Sequence, residues 1–419
     1  MKKLFLLALV TATISSLASC GNQNTSAEFA PKLDTSTACN LTIRGHYENF
    51  EALVTEIKAF QKHYPNVKIA YEYDKDHKKN MLTALSGDTP PDIFFTYSTS
   101  NFSDLDPYTE DFAQSSLGLD LNCIRDALIY RDGNGKIPYV PIYTTSFGML
   151  INENLFNKYN VTIPTTYNEF LAACATFQKA DPKVYPVLGH KSMIPYPLYF
   201  PYFCGNIVGN KEAINALNNK TEGAGEYMRS SLQLAADFMS KGYVDTQECT
   251  EKITDDYGKT IMRFYEGDVA MMFAKGSTAS GTEKRESQSE AFVANPFTYS
   301  FVPVPSTDKG GYFYNTTELC FSVNKQSKNR EMSNEFMRFL VSTKELNNMS
   351  KEKRMISPCK DLSYDRIYAA FGAMDASRVI TPSQLQLLDA ADKQVREAAT
   401  AVCWNGMSVD DAVKNYGSF

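Results

Sequence analysis

The sequence predicts an α/β fold, in which strands and helices alternate along most of the chain. Short β-rich runs such as residues 41–45 and 67–73 alternate with segments of helical periodicity. Strands that alternate with helices pair in parallel through right-handed crossovers. The chain has 419 residues, and 43% of them are hydrophobic. This length favours two or three domains, and this composition can build sizeable cores.

The first quarter of the chain shows the clearest alternation. The predicted elements are, in order, a strand at 41–45, a helix at 50–60, a strand at 67–73, a helix at 77–85 and a strand at 93–97. Asn49 is the expected N-cap of the first helix, and Pro65 cannot continue that helix. Gly87 and the Pro90-Pro91 pair end the second helix.

The rest of the chain continues the alternation. A Gly-Asn-Gly-Lys run at 133–136 predicts a hairpin turn. The other predicted strands and helices are strands at 137–141, 145–151, 299–304 and 319–323, helices at 164–178, 225–241 and 332–341, and a helix that runs into a strand over 261–273. The segment 195–202, rich in proline and aromatic residues, predicts a loop. Residues after 360 predict a mostly helical tail.

The N-terminus has the pattern of an export signal. Lys2 and Lys3 precede an apolar run of about 14 residues, which is too short to span a bilayer. Leu-Ala-Ser-Cys at 17–20 resembles the bacterial lipobox, which implies cleavage before Cys20 and a lipid on its thiol. The alternative is an ordinary secretory signal with a chance cysteine. Residues 1–19 are therefore predicted as the signal peptide and 20–39 as a lipidated flexible tether. The expected location is the extracytoplasmic face of the cell membrane.

Composition argues against several classes of protein. The net charge of −6 is spread along the chain, whereas nucleic-acid binding needs a basic face. No later apolar run reaches membrane-spanning length. Eight cysteines follow Cys20 without any Cys-x-x-Cys spacing, so neither a redox motif nor a zinc knuckle is predicted. Disulfides and buried free thiols remain equally open.

Motifs of catalysis and of metal or cofactor binding are missing from the sequence. The four histidines lack the close spacing of a zinc site. Gly258-Lys259-Thr260 resembles the end of a phosphate-binding loop, but position 253 is Ile where that loop needs Gly. Asp132 starts like a calcium loop, but Lys136 occupies the fifth position. No catalytic residue, metal site or cofactor is therefore predicted.

Several short blocks occur in a characteristic order. They are Phe-Gln-Lys-His-Tyr-Pro-Asn-Val at 60–67, Ser-Gly-Asp-Thr-Pro-Pro-Asp-Ile-Phe at 86–94, Gly-Lys-Ile-Pro-Tyr-Val-Pro at 135–141, Met-Leu-Ile-Asn-Glu-Asn-Leu-Phe at 149–156, Ile-Pro-Thr-Thr-Tyr-Asn-Glu-Phe at 163–170, Phe-Tyr-Glu-Gly-Asp-Val-Ala-Met-Met-Phe at 264–273, and Asn-Lys-Gln-Ser-Lys-Asn at 324–329 with Glu-Phe-Met-Arg-Phe-Leu at 335–340. Together they resemble family 1 extracellular solute-binding proteins, the receptors of ABC importers for sugars.

This resemblance implies a periplasmic-binding-protein-like (type II) fold. Two hinge-linked lobes, each a mostly parallel sheet flanked by helices, would enclose a ligand cleft. The implied boundaries are 40–142 plus 306–345 for lobe one, 146–302 plus 355–419 for lobe two, and crossings near 142–146, 302–306 and 345–355. The implied partners are a small-molecule solute, most simply a sugar, the permease subunits of an ABC transporter, and the membrane through the lipid anchor. The protein is expected to be a monomer.

The candidate binding residues lie where the strands end and the lobes cross. Ligands of open parallel sheets bind outside the carboxyl ends of the strands. Sugars need aromatic faces together with paired polar groups, because an unpaired buried polar group costs about 1–3 kcal/mol. The predicted ligand-binding residues are His46, Tyr47, Glu48, Thr96, Tyr97, Tyr143, Thr144, Thr145, Tyr196, Tyr199, Phe200, Gly276, Ser277, Asn315, Thr316 and Glu318. The only tryptophan, Trp404, lies in the tail, so tyrosine and phenylalanine must supply the stacking faces.

Structural roles remain open for these residues. Tyr47 and Tyr97 also suit packing at a core edge, Thr144 and Thr145 also suit a hinge, and Glu318 also suits a solvated strand end. Other functions remain open as well. A lipid-anchored glycoside hydrolase would need two carboxylates about 5–10 Å apart. A surface protein with a structural role would bind no sugar, and a related receptor could take a polyol, a glycerol phosphate, a polyamine or a peptide.

Overall fold

The computed structural model describes residues 28–97, 100, 102–254, 256–279, 282–362 and 364–419. The predicted signal peptide, the lipid-attachment residue Cys20 and the first part of the predicted tether lie outside the described residues. No helix in the described ranges is both long enough and apolar enough to cross a membrane.

Eleven strands occur in the described ranges, nine of them in one large sheet. The strands are β1 Cys39–Gly45, β2 Val67–Tyr73, β3 Ile93–Thr96, β4 Val140–Asn152, β5 Tyr185–Gly189, β6 Val269–Lys275, β7 Tyr299–Val302, β8 Pro305–Thr307, β9 Gly310–Gly311, β10 Phe313–Val323 and β11 Val379–Ile380. The main path of the large sheet runs β2-β1-β3-β10-β4-β6-β5, with β7 beside β4 and β11 beside β10, while β8 and β9 form a separate ribbon.

The large sheet is mixed. Its two ends are parallel, with β1 between β2 and β3 at one end and β5 beside β6 at the other. Its middle is antiparallel, because β10 runs against both β3 and β4, and β4 runs against β6 and β7. The expected parallel pairing therefore holds at the two ends of the sheet, and the two long central strands depart from it.

Seventeen α-helices flank these strands in the described ranges. They are α1 Glu51–Gln61, α2 His77–Leu85, α3 Phe102–Leu105, α4 Glu153–Lys158, α5 Tyr167–Ala180, α6 Pro195–Ile207, α7 Lys211–Asn219, α8 Arg229–Ser240, α9 Tyr257–Phe264, α10 Thr282–Gln288, α11 Glu290–Ala294, α12 Arg330–Leu340, α13 Thr343–Glu352, α14 Ala369–Gly372, α15 Pro382–Leu385, α16 Asp389–Trp404 and α17 Val409–Lys414. Residues after 360 are mostly helical, as predicted.

Some local predictions are wrong. The N-cap of α1 is Phe50 and has no side-chain cap hydrogen bond, so Asn49 is not the cap. The separate strands predicted at 137–141 and 145–151 are one strand, β4, all of whose residues are buried. Burial on both faces lets a strand run on through a threonine pair that reads as a break. The turn at 133–136 is closed by the Asp132 carboxylate, which accepts from two backbone N–H groups, and no strand flanks it directly.

Apolar side chains gather into two main cores. The first core draws on residues 41–143 and 319–359, and the second core draws on residues 147–304, 313–314 and 356–413. β4 and β10 contribute to both, because Tyr143 and Leu319 belong to the first core while Phe147 and Tyr314 belong to the second. The two long central strands therefore pass directly from one core to the other.

A pair of buried carboxyl groups joins α1 to α13. Glu56 is 1% exposed and lies within hydrogen-bonding reach of Glu345. Burial is the largest cause that raises the pKa of Glu56 to about 9, and the neighbouring Glu345 adds to it. The Glu345 carboxylate also accepts from the Lys344 ammonium at 2.7 Å. Glu56 is therefore protonated at neutral pH.

We expect Glu56→Gln to raise the Tm, by about 2 °C at pH 8. The unfolded chain ionises Glu56 above its ordinary pKa of 4.5, whereas the folded chain keeps the proton up to a pKa of about 9. Wild-type stability therefore falls as pH rises between these values, and glutamine has no proton to lose. Calorimetry from pH 5 to pH 8 checks this, with the exposed Glu72→Gln as the control. A gain that fails to grow with pH, or an equal gain in the control, contradicts the prediction.

Candidate functional site

The ends of two parallel strands bring three predicted aromatic residues together. β1 and β3 pair with Ile43 opposite Ile93. His46 and Tyr47 after β1 therefore emerge at the same sheet edge as Tyr97 after β3. The Tyr97 hydroxyl and the His46 Nδ1 are hydrogen-bonded at 2.8 Å. The centroid of the His46 ring lies 4.4 Å from that of Tyr47 and 5.6 Å from that of Tyr97. We call these three residues the aromatic group.

Gly45 makes this arrangement possible. A Cβ atom at Gly45 would lie 2.4 Å from the ring of Phe95, so a side chain there would push β1 and β3 apart. The Phe95 ring also packs against His46 and Tyr47, each with centroids 5.7 Å apart. The absence of a side chain at Gly45 therefore leaves room for the Phe95 ring, which packs against two residues of the aromatic group.

An irregularity in β10 presents Glu318 beside the aromatic group. Thr317 and Leu319 pair with consecutive residues of β4, so Glu318 is the extra residue of a β-bulge. A bulge locally bends its strand and re-aims a side chain. The Glu318 Oε2 lies 2.5 Å from the Nζ of Lys275, the last residue of β6. This ion pair connects the end of β6, a strand of the second core, to the strand that crosses between the cores.

Electrostatics keep the aromatic group uncharged at neutral pH. Burial raises the pKa of both Tyr47 and Tyr97, and the negative charge of Glu318 raises it further. Burial is also the largest cause that lowers the pKa of His46 to about 4. The Lys353 ammonium lies 4.6 Å from the centroid of the Tyr47 ring. The site therefore combines aromatic faces, neutral hydrogen-bonding groups and a few charges.

A second set of predicted residues is joined by hydrogen bonds where β6 ends. The Thr145 hydroxyl accepts from the backbone N–H of Ser277, and the Thr145 carbonyl accepts from the Asn315 Nδ2, both at 2.9 Å. The Gly276 carbonyl accepts from the Tyr368 hydroxyl at 2.8 Å. The Asn315 Oδ1 is buried and has no protein partner. Because such acceptors are rare, this atom marks a place for a further donor.

Three predicted residues are occupied by structural contacts. Tyr143 is fully buried in the first core. The Thr144 hydroxyl donates to the Ile356 carbonyl at 3.1 Å and accepts from Arg125 at 3.3 Å. The Thr96 hydroxyl is buried and bonded to a serine of β10 at 3.1 Å. The structure does not bring these three side chains into the aromatic group.

Two further predicted residues lie at the margin. Glu48 is exposed in the loop after β1, and Thr316 is half-buried in β10, directly opposite Thr145. Thr316 therefore lies beside the hydrogen-bonded set around Thr145.

The loop predicted at 195–202 is wrong, because these residues belong to α6. Pro195 starts this helix at a position where a missing N–H has no consequence. Only Pro201 lies in the helix interior. Nine of the 13 residues of α6 are buried, and this burial outweighs the interior proline.

The three predicted aromatic residues of α6 have different surroundings. Tyr199 and Phe200 are buried in the second core, at 1% and 0% exposure. Tyr196 is half-buried, and its ring stacks on that of Phe147 with centroids 5.3 Å apart. The Arg396 guanidinium lies 4.9 Å from the Tyr196 ring and 4.5 Å from the Phe200 ring. Of the three, Tyr196 therefore remains the best placed to reach a ligand.

Four residues near the site were not predicted. They are Lys275, Lys353, Tyr368 and Arg396. Lys275 directly precedes Gly276, so extending that predicted site by one residue would have found it. Lys353 follows the helix predicted at 332–341, and Tyr368 and Arg396 lie in the predicted helical tail, so only tertiary folding brings these three near the site.

Two cores joined by crossing strands, with this mixed aromatic and polar site at the crossing, define a two-lobed solute-binding protein. A family model described as bacterial extracellular solute-binding protein matches residues 44–346. The chain belongs to this family, the family 1 solute-binding proteins of ABC transporters. The resemblance read from the sequence blocks is thereby confirmed, and the family consists of binding proteins, not enzymes.

Two sequence relatives match part of the chain. One is an uncharacterised extracellular-binding protein of an ABC transporter from Pyrococcus horikoshii, 25% identical over 204 residues, which are 46% of this chain and 46% of the relative. The other is the melibiose/raffinose/stachyose-binding protein MelE of Bacillus subtilis, 23% identical over 180 residues, which are 43% of this chain and 41% of the relative. The matches thus span less than half the length of either relative.

Solved structures share the fold over nearly the whole chain. The apo form of RafE from Streptococcus pneumoniae superposes with a TM-score of 0.72 at 15% identity, covering 92% of this chain and 97% of RafE. RafE in complex with raffinose gives a TM-score of 0.69 at 15% identity, covering 91% and 98%. A mannobiose-bound protein from Bifidobacterium animalis gives 0.64 at 16% identity, covering 91% and 93%. The expected two-lobed fold is therefore confirmed.

Proposed function

We propose that this protein is a lipid-anchored receptor that captures a neutral oligosaccharide between two lobes and delivers it to the permease subunits of an ABC importer. The observation that carries the proposal is the aromatic group beside the Glu318–Lys275 ion pair. Rings supply apolar faces for the C–H groups of a sugar. Neutral side chains and the ion pair supply donors and acceptors for its hydroxyls.

The charge of the site supports an uncharged solute. His46 is neutral at physiological pH, and the Glu318 carboxylate is paired with the Lys275 ammonium, so the Lys353 ammonium, 4.6 Å from the Tyr47 ring, is one of few charges left at the site. The ligands of similar proteins also favour sugars. One sequence relative is a binding protein for melibiose, raffinose and stachyose, and structures with this fold hold raffinose, stachyose and mannobiose.

We infer that the lobes follow the two cores. Lobe one then comprises residues 40–142 plus about 319–359, and lobe two comprises 146–314 plus about 360–419, because Met349, Met355 and Cys359 belong to the first core. Phe313 and Tyr314 belong to the second core, which supports a second crossing at 315–318 instead of 302–306. Hinge rotation about these crossings would close the lobes on the solute. The closed monomer would then be the form that docks on the permease.

Membrane attachment through Cys20 remains part of the proposal. The lipid would hold the receptor on the extracytoplasmic face. Phe29 and Leu33 pack against the first core, and the Lys32 N–H donates to Glu335 at 2.8 Å, so only the part of the predicted tether 20–39 that precedes Phe29 would act as a tether. Membrane fractionation of Cys20→Ala in cells tests this point. Release of the variant from the membrane is expected, and an equal membrane-bound fraction in variant and wild type contradicts the anchor.

A thermal-shift panel tests the solute class. We expect raffinose, stachyose or mannobiose to raise the Tm, because a ligand at a hundred times its Kd stabilises by about 2.7 kcal/mol. For a chain of this size that gain corresponds to about 3 °C. Glycerol 3-phosphate, spermidine and a tripeptide serve as controls. A shift with one of the controls alone contradicts the sugar assignment, and sustained cleavage of an aryl glycoside contradicts the receptor itself.

A further inference from the structure

Cys123 and Cys359 are far apart in sequence but lie close together in the fold. Cys359 belongs to residues 355–360, which we call the third connection between the cores. Ile124 and Cys359 form an isolated antiparallel bridge. The N–H of the residue after Cys359 donates to the Cys123 carbonyl at 2.8 Å, and the N–H of Arg125 donates to the Pro358 carbonyl at 3.0 Å. This pattern marks a non-hydrogen-bonded pair, whose Cα atoms approach to about 4.5 Å. Cys123 directly adjoins that close pair.

The two thiols are close enough to interact, and both are free in this structure. The Cys123 thiol donates to the Asp120 carbonyl at 3.2 Å, and the Cys359 thiol lies 4.0 Å from the Thr343 carbonyl oxygen. Cys123 ends a short 3₁₀ turn, Leu121–Cys123, so its side chain need not follow the alternation of a strand. Cys359 is fully buried and Cys123 is half-buried. The neighbouring Cys123 thiol is the largest cause that lowers the pKa of Cys359, and the guanidinium of Arg125 contributes to that shift.

We propose that Cys123 and Cys359 form a disulfide bond in the exported protein. The inference rests on the extracytoplasmic location proposed above, because disulfides persist in oxidising compartments. The bond needs little backbone movement, since the backbones on both sides are already paired around Ile124 and Cys359.

The oxidant is a disulfide, either of a thiol oxidoreductase or of a small molecule. One Cys thiolate attacks it, forms a mixed disulfide and releases the first thiol of the oxidant. The second Cys thiolate then attacks the protein sulfur and displaces the second thiol. Cys123 and Cys359 together lose two electrons and two protons, and the oxidant disulfide is reduced to two thiols.

The disulfide would fix the third connection to the first core. Arg125 already contacts this connection, because its Nη2 donates to the Ser357 carbonyl at 2.8 Å. With the bond formed, residues 355–360 move with the first core. Lobe closure would then bend the chain in β4, in β10 and after Lys360. Closing a loop of roughly 240 residues would also restrict the unfolded chain strongly.

Peptide mapping of the purified full chain tests the bond directly. Trypsin releases Cys123 within residues 80–125 and Cys359 within residues 355–360, and each peptide holds a single cysteine. After incubation with oxidised glutathione and blocking with iodoacetamide, we expect a cross-linked 80–125/355–360 peptide that disappears on reduction. Two alkylated peptides, a glutathione adduct that persists on Cys123, or a cross-link to another cysteine overturns the proposal.

Matched variants supply a second measurement. We expect reduction to lower the Tm of the oxidised wild type by about 3–6 °C. Cys123→Ser should abolish that difference, whereas Cys39→Ser, which replaces another half-buried thiol, should keep it. An undiminished difference in Cys123→Ser contradicts the proposal. Because neither measurement uses a sugar, an error in the proposed function leaves both outcomes unchanged.

Discussion

Replacing Glu318 by alanine is expected to weaken the binding of raffinose by about 10- to 100-fold. A hydrogen bond to a charged group contributes about 1.5–3 kcal/mol, which corresponds to that range. The β-bulge places the Glu318 carboxylate beside the aromatic group, and the Lys275 ammonium holds it there at 2.5 Å. Isothermal titration of wild type and variant measures the change. The Tm without sugar should fall only slightly, since both side chains of the ion pair are about one-fifth exposed.

Glu48→Ala is the matched control for this prediction. Glu48 is a carboxylate in the loop after β1 and is exposed at the margin of the site. We therefore expect its removal to leave the raffinose Kd within a factor of two of wild type. If Glu48→Ala weakens binding as much as Glu318→Ala, a general effect of negative charge explains the result. If Glu318→Ala leaves the Kd unchanged, the bulge has no role in recognition.

Local sequence signals located the elements of the first core closely. β2 at Val67–Tyr73 and α2 at His77–Leu85 have the predicted bounds, because turn and breaker residues surround them. α6 was missed because three prolines read as a loop, although two of them fall in its first turn. Helix propensity does not take into account the tertiary burial that stabilises such a helix.

The residues of the candidate site also differ in whether the sequence could predict them. His46, Tyr47 and Tyr97 could be found from the sequence, because each follows a recognisable strand and the ends of parallel neighbours meet. The role of Lys353 depends on the third connection returning to the first core, which no local pattern encodes. The bulge at Glu318 depends on the register between two strands that are far apart in sequence. Sequence therefore predicts residues at strand ends better than residues that distant segments bring together.

Arg263→Met is expected to destabilise the protein by about 3 kcal/mol, or roughly 4 °C in Tm. The Arg263 side chain is 9% exposed, and its guanidinium lies 2.6 Å from Glu248 and 2.5 Å from Asp268. Burial raises the pKa of Glu248, but hydrogen bonds from Lys252 and Arg263 outweigh burial and leave that pKa below its usual value. Without Arg263, a carboxylate that is 5% exposed keeps only the lysine as its partner.

Arg229→Met separates the effect of burial from the number of ion pairs. Arg229 also contacts two carboxylates, at 2.6 Å and 2.5 Å, but it is 41% exposed and its partners are 57% and 85% exposed. Water solvates these groups when the pair is broken, so little change in Tm is expected.

The pH dependence of Arg263→Met adds a second check. A carboxylate whose folded pKa is lowered stabilises above its unfolded pKa of about 4.5, and this stabilisation is lost as pH falls through the folded pKa. The Tm difference between wild type and Arg263→Met should therefore shrink below pH 4.5, and equal losses for the two arginine variants at pH 7 would show that burial is not the cause.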